Sequence, residues 1–349
     1  MKTEEKIKMF KDVFAPKTGE NVLILVDIPH DDIEDNPAWI DRRKMAREWY
    51  ETFKEMGKEN GFSVSFDEYK TTGAHNSPIP QETIDFAKKA DLVIAMTEYS
   101  GSSSFLPAFR HKDSHTRGAS MPIVEKRMEK TAFKADYSKV QKYAYAIEGI
   151  LNDSLAAEVK FSTGDVLYMD LRNRPALADA GYCKKPGQFI NFPSGEACKA
   201  PYEAAEDEID EFGPSETKGI LPVDYDGELV KFVIKNNNIV DIVGSGKNAE
   251  KMRKFFDEVP SRRNIAELGI GCNPNAVITG NPLEDEKVGL HIAYGMSTHI
   301  GGKVKSDMHF DISYSKGCPV EGTSVVLTHT DGSKTMVIKD AMLRYKLLE

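Results

Sequence analysis

The stretch Val22-Leu23-Ile24-Leu25-Val26-Asp27 sets the reading of the first half of the chain. A short, continuous apolar run closed by an acid is the pattern of a strand buried on both faces, as in a parallel sheet. Two similar stretches follow. Residues 62–66, Phe-Ser-Val-Ser-Phe, alternate apolar and polar, and 91–96, Asp-Leu-Val-Ile-Ala-Met, form a second continuous apolar run. Between them lie segments with helical spacing. Met45, Trp49, Phe53 and Met56 recur every three or four residues over 37–60 until Gly61, and Ile84, Phe86 and Ala87 mark a helix over 80–90. Strand, helix, strand, helix, strand predicts an α/β N-terminal domain with a parallel sheet.

The pattern changes near residues 125–140. A helix over 143–152 is followed by short strand-like runs at 157–161, 166–171, 187–192, 219–221, 229–234 and 239–243, separated by Gly, Asn and Asp. A helix over 248–259 and two last strands at 324–327 and 335–339 complete it. The division expected is residues 1–130 as the α/β domain and 131–349 as an α+β, β-rich metal-binding domain. The acidic run 203–211 reads as a solvated loop or helix face. The polar stretch 97–117 reads as a loop at a strand's C-terminal edge, where His111, His115, Arg110 and Arg117 are placed to meet a substrate carboxylate.

Composition narrows the function. The 349 residues are 40% hydrophobic and 29% charged, with a net charge of -9. That charge argues against nucleic-acid binding, which needs clustered Lys and Arg. No apolar run is long enough to span a membrane, and the charged N-terminus lacks a signal peptide's apolar core, so a cytoplasmic protein without membrane partners is expected. The four cysteines are scattered with no CxxC pair, which speaks against a zinc ribbon or redox dithiol. Neither GxGxxG nor a P-loop motif is present.

Candidate chemistry gathers at residues 284–312, which hold His291, His299 and His309, three of the eight histidines. In Met308-His309-Phe310-Asp311-Ile312 the alternation puts His309 and Asp311 on one strand face, about 6–7 Å apart along it, and the three apolar residues on the other. Further carboxylates lie at Glu196, past a Pro193-Ser194-Gly195 bend, and at Glu267, inside the apolar run Ala266–Gly271. A carboxylate buried there without a partner costs several kcal/mol, so it should be solvated, salt-bridged or bound to a cation. Glu286 and His291, five apart, form another pair.

Taken together, NFPSGE with a following AP, AELGIG, LEDEKVGLHIAYG and MHFD resemble the metal-binding segments of leucyl metalloaminopeptidases of the aminopeptidase T and aminopeptidase S type. The resemblance covers roughly residues 150–315. It implies a homodimer that hydrolyses peptides, releasing N-terminal amino acids through a water activated by two divalent ions (Zn, Co or Mn). The ligands it implies are Glu196, Glu267, Glu286, His291, His309 and Asp311, with Glu196 or Glu284 as general base. The chain departs from the pattern where the aminopeptidases carry a tyrosine seven residues after the first ligand histidine. Here that position is Thr298, and the neighbouring His299 is expected to replace the tyrosine as hydrogen-bond donor.

Two alternatives stay open. His291, His309 and Asp311 alone form a two-histidine-one-carboxylate set, and the same fold family includes a mononuclear Fe(II) dioxygenase that cleaves the ring of dihydroxypyridine. Retention of Glu196, Glu267 and Glu286 favours hydrolysis in this reading. The other alternative is a metal-stabilised binding protein. The substrate expected is a peptide or another small molecule.

Overall fold

The computed structural model describes residues 1–349, and the chain divides into two compact units. The first comprises residues 1–141, 179–194 and 274–277; the second comprises 142–178, 195–273 and 278–349. The units are therefore not consecutive halves of the sequence, as the division at residue 130 supposed.

The first unit holds a five-stranded parallel sheet in the order Ser63–Lys70, Asn21–Ile28, Leu92–Met96, Arg117–Ser120, Phe189–Asn191. The strand Asn21–Ile28 lies inside the sheet, between Ser63–Lys70 and Leu92–Met96, and is buried from Val22 to Asp27, as a continuous apolar run requires. The helix Pro37–Asn60 begins on an Asn36 cap, whose side chain accepts from Trp39 N, and stops at left-handed Gly61. Its Trp49 and Phe53 pack on Phe10 of the helix Thr3–Val13, with Phe10 and Phe53 stacked at 4.0 Å.

The stretch expected to be a loop over 97–117 contains the helix Ser102–Phe109. Phe105 and Phe109, one turn apart, bury fully, and that burial outweighs a polar composition. Arg117 is not available to a substrate: it is buried and bound to Glu20, Phe14 O and Cys183 O. The run over 187–192, read with the second half, supplies the edge strand Phe189–Asn191 of this first sheet.

The second unit has two sheets. Eight strands lie in the order Asn238–Val243, Glu228–Lys235, Lys218–Tyr225, Val166–Asp170, Ser154–Phe161, Gly322–His329, Lys334–Lys339, Met342–Leu343, with antiparallel neighbours. The smaller sheet runs His309–Ser313, Val288–Gly295, Ile265–Cys272, Glu196–Lys199, Ala176–Asp179. Every residue of Ile265–Cys272 is buried, so this strand forms the floor on which polar groups must find partners. No helix of the chain is long and apolar enough to cross a membrane.

Candidate metal centre

The register of the small sheet brings the site residues together. Gly269 pairs with His291 on one side and Cys198 on the other; Gly271 pairs with Glu196 and with Gly289. Ala293 pairs with both Glu267 and Asp311, and Gly295 with His309. Residues directly opposite in an antiparallel pair share a face. One face therefore carries Glu196, Glu267, His291, His309 and Asp311, interleaved with glycine and alanine. The small residues are structurally required. A Cβ on Gly269 would lie 1.8 Å from His291 Nε2, and one on Gly271 would meet the Lys287 carbonyl carbon at 2.3 Å.

The charged groups form a chain of contacts. Lys287 Nζ lies 2.6 Å from both Glu196 Oε1 and Glu286 Oε1. Glu196 Oε2 lies 3.2 Å from His291 Nε2. The Glu267 carboxylate sits between the imidazoles, with Oε1 3.1 Å from His291 Nε2 and Oε2 3.1 Å from His309 Nε2. Asp311 Oδ1 is 3.3 Å from His309 Nε2. His309 Nδ1 donates to the Met296 carbonyl at 2.7 Å, which turns Nε2 toward the carboxylates. His299, half-buried on the single turn Thr298–Ile300, sets its ring edge-on to His309 at 4.5 Å.

These neighbours shift one another. Burial works against charge on His291, but the Glu267 hydrogen bond and the Glu196 charge prevail and raise its pKa to about 9. His309 is likewise raised against burial, by Asp311 and Glu267. Glu267 is held well below the usual carboxylate range by the two imidazoles, although burial opposes this. Glu286 moves the other way: burial and the charges of Glu196 and Asp311 outweigh Lys287 and push it up to about 8. The Cys198 thiol, beside Glu267, is raised well above its ordinary value by burial first and the carboxylates second, so it stays protonated.

The donors suit a metal ion. Ligand atoms of Glu196, Glu267 and His291 lie within 4.8 Å of one another, as do those of Glu267, His299 and His309. Glu196 Oε2 is buried and, despite its nearness to His291, accepts no well-aligned hydrogen bond; buried His291 Nδ1 also lacks a partner. Such orphaned groups are costly unless something else satisfies them.

All six ligands that the resemblance implied sit in or beside this cluster. His299 joins it as well. Glu284 is fully buried in the short helix Pro282–Asp285; burial raises the pKa of the adjacent Asp285 against its hydrogen bonds from Thr279 and Gly280, and the Glu284 charge adds to the rise. Phe310, on the apolar face of His309–Ser313, is 43% exposed, as this is an edge strand of the sheet. Two groups escaped the sequence reading. Lys287 lies in a quoted segment, its signal being a lysine placed directly between an acid and an apolar strand. Glu203, assigned to a solvated run, is buried and paired with Arg174 at 2.9 Å.

The comparisons with known proteins correct the functional reading. The profile of the NicX family, 2,5-dihydroxypyridine 5,6-dioxygenase, matches residues 51–328. No curated protein matches the sequence. Among solved structures, a 2,5-dihydroxypyridine dioxygenase from Pseudomonas putida KT2440 is similar over 98% of both chains, with a TM-score of 0.67 and 18% identity, a likeness of fold. The aminopeptidase resemblance is thus overturned, and with it the peptide hydrolase, protease and aminopeptidase readings. The expected pair of Zn, Co or Mn ions also finds no support: the two donor groups overlap at Glu267, and an ammonium, not open space, separates Glu196 from Glu286. The physical reason for the error is that clustered Glu, His and Asp segments serve one-metal and two-metal centres alike.

Proposed function

The chain belongs to the NicX family, and from that premise we propose that it is a metal-dependent ring-cleaving dioxygenase acting on a dihydroxylated nitrogen heterocycle of the 2,5-dihydroxypyridine type. The observation that carries this reading is the convergence of His291 and His309 Nε2 on one carboxylate, Glu267, with Asp311 beside His309. Two imidazoles and a carboxylate are the donor set of non-haem iron(II) oxygenases. His291, His309 and Asp311 would hold the ion, with Glu267 as a further oxygen donor between the histidines.

A bound iron(II) supplies the one-electron chemistry that lets an aromatic ring react with dioxygen. The protein's part is orientation and proton placement. The Met296 carbonyl fixes the His309 tautomer by taking the Nδ1 proton. His299, half-buried at the rim of the cluster, is positioned to hydrogen-bond a ring hydroxyl of the substrate. The fully buried floor strand excludes water from beneath the ring nitrogens.

The test is turnover of 2,5-dihydroxypyridine by chelator-stripped protein reloaded with iron(II) under anaerobic conditions and then exposed to oxygen. Iron-dependent loss of substrate with matching oxygen uptake is expected, and H309A should abolish it. Release of an amino acid from an aminoacyl-anilide by the same preparation, with no oxygen uptake on the pyridine, would overturn the proposal.

A further inference from the structure

The placement of Lys287 bears on how many ions the centre accepts. Its side chain has no solvent exposure, and its ammonium touches one oxygen of Glu196 and one of Glu286, each at 2.6 Å. The other oxygen of Glu196 faces His291 Nε2 at 3.2 Å. Glu196 is therefore a carboxylate bridge with a fixed cation at one end and the imidazole end of the cluster at the other. That is the arrangement of a two-metal site, where bridging carboxylates hold ions about 3.5–4 Å apart, with one ion exchanged for an ammonium. The backbone enforces it. Residues 286–288 cross directly over Gly271, where a Cβ would meet Glu286 O at 2.5 Å and Val288 N at 2.4 Å. Asn273 N donates to Lys287 O at 3.1 Å, and Lys287 N donates to Glu284 O at 3.0 Å. The lysine is thus delivered into the cluster from a tethered turn.

Charge gives the same answer. Glu196, Glu267 and Asp311 gather in one buried cluster and alone carry more negative charge than one divalent ion neutralises. A single ion plus the ammonium brings the cluster near balance without a second metal.

We propose that Lys287 occupies the second cation position of this centre and so makes it mononuclear, reserving Glu196 Oε1 and Glu286 Oε1, the two oxygens it holds, from metal ligation. The inference rests on the reading of the cluster as a metal centre. Replacing the ammonium by a neutral side chain should open a second site whose donors are Glu196 and Glu286.

The experiment counts metal. Chelator-stripped wild type, K287A and K287R are loaded with zinc, passed through gel filtration and analysed for zinc per chain. Wild type and K287R are expected to keep about one ion and K287A about two. K287A with the wild-type count overturns the proposal while leaving a one-metal centre in place. Wild type with two ions also overturns it, and wild type with none removes the metal reading beneath it. K287A leaves two buried carboxylates facing each other without a cation, so metal-free K287A is expected to be unstable. Thermal melting under zinc titration then decides: the zinc-induced gain in Tm should be larger for K287A than for wild type, and equal gains overturn the proposal.

Discussion

Gly269 shows how closely single residues govern the centre. Its hydrogen leaves the space that the His291 ring fills, and an alanine Cβ would fall 1.8 Å from Nε2. G269A must therefore displace the imidazole or the strand. It is expected to lose about 1–3 kcal/mol of stability, in the range of core overpacking, and to weaken metal binding sharply; retention of wild-type iron affinity would contradict the account. Lys199 offers a second residue-level test, through pH. It lies buried at the end of Glu196–Lys199 and donates at 2.9 Å each to Leu151 O, in the last turn of the helix Tyr137–Asn152, and to Ser154 O, at the start of the strand Ser154–Phe161. Burial lowers its pKa to about 8, against the pull of Asp153 and Asp170. A lysine depressed in the folded state destabilises the fold while it is charged, so the penalty is complete below about 8 and fades as pH rises toward the unfolded value of about 10.4. The stability of wild type relative to K199M, from urea unfolding, should rise between pH 8 and 10. A flat or falling difference would count against this.

The elements that carry the site are strands, and their alternation explains much of what was legible. The run 22–26 announces a buried strand because every position is apolar, and His309-x-Asp311 announces a shared face because the strand period is two. Less legible was the purpose of glycines. Glu267-x-Gly269-x-Gly271 looks like a weak strand in sequence, yet the two glycines clear the ground for His291 and for the turn bearing Lys287. The acidic run at 203–211 misled for a different reason, since composition does not say which acid finds a buried partner. Glu203 accepts from Arg174, from the Ser297 hydroxyl and from the Lys303 and Val304 amides. It thereby pins both ends of the turn that presents His299. Glu203→Ala leaves Arg174 paired with Glu208 alone and strips the Ser297, Lys303 and Val304 donors of their acceptor, so a loss of about 1–3 kcal/mol is expected. Hydrogen exchange should quicken over residues 297–304 more than in Ile265–Cys272. Uniform change, or a loss below about 1 kcal/mol as for a surface pair, would refute the pinning role.

At the scale of the whole molecule, the sequence showed which acids and imidazoles would gather more clearly than what they would do. Segments bearing Glu196, Glu267, Glu286, His291, His309 and Asp311 were recognisable in order, and the small sheet assembles them. What linear order does not encode is how many cations the carboxylates share. That depends on Lys287, whose neighbours come from Glu196, far back in the chain, and from the adjacent Glu286. Counting acids therefore pointed to hydrolysis, whereas the three-dimensional arrangement already supplies one cation of its own. The proposed metal centre is assembled only in the folded chain, so iron or zinc at a hundredfold excess over Kd should stabilise the protein by about 2.7 kcal/mol. An unchanged Tm on metal loading or chelation would mean that the cluster is satisfied by its internal ion pairs alone.

The central claim is that this centre serves dioxygenation of a ring, and isotope incorporation reads it directly. Iron(II)-loaded protein is supplied with 2,5-dihydroxypyridine under oxygen-18 gas, and the product is weighed by mass spectrometry. The account predicts that both labelled atoms enter the ring-opened product and that H309A yields none. An unopened ring, or a product whose added oxygen comes from water, would contradict it.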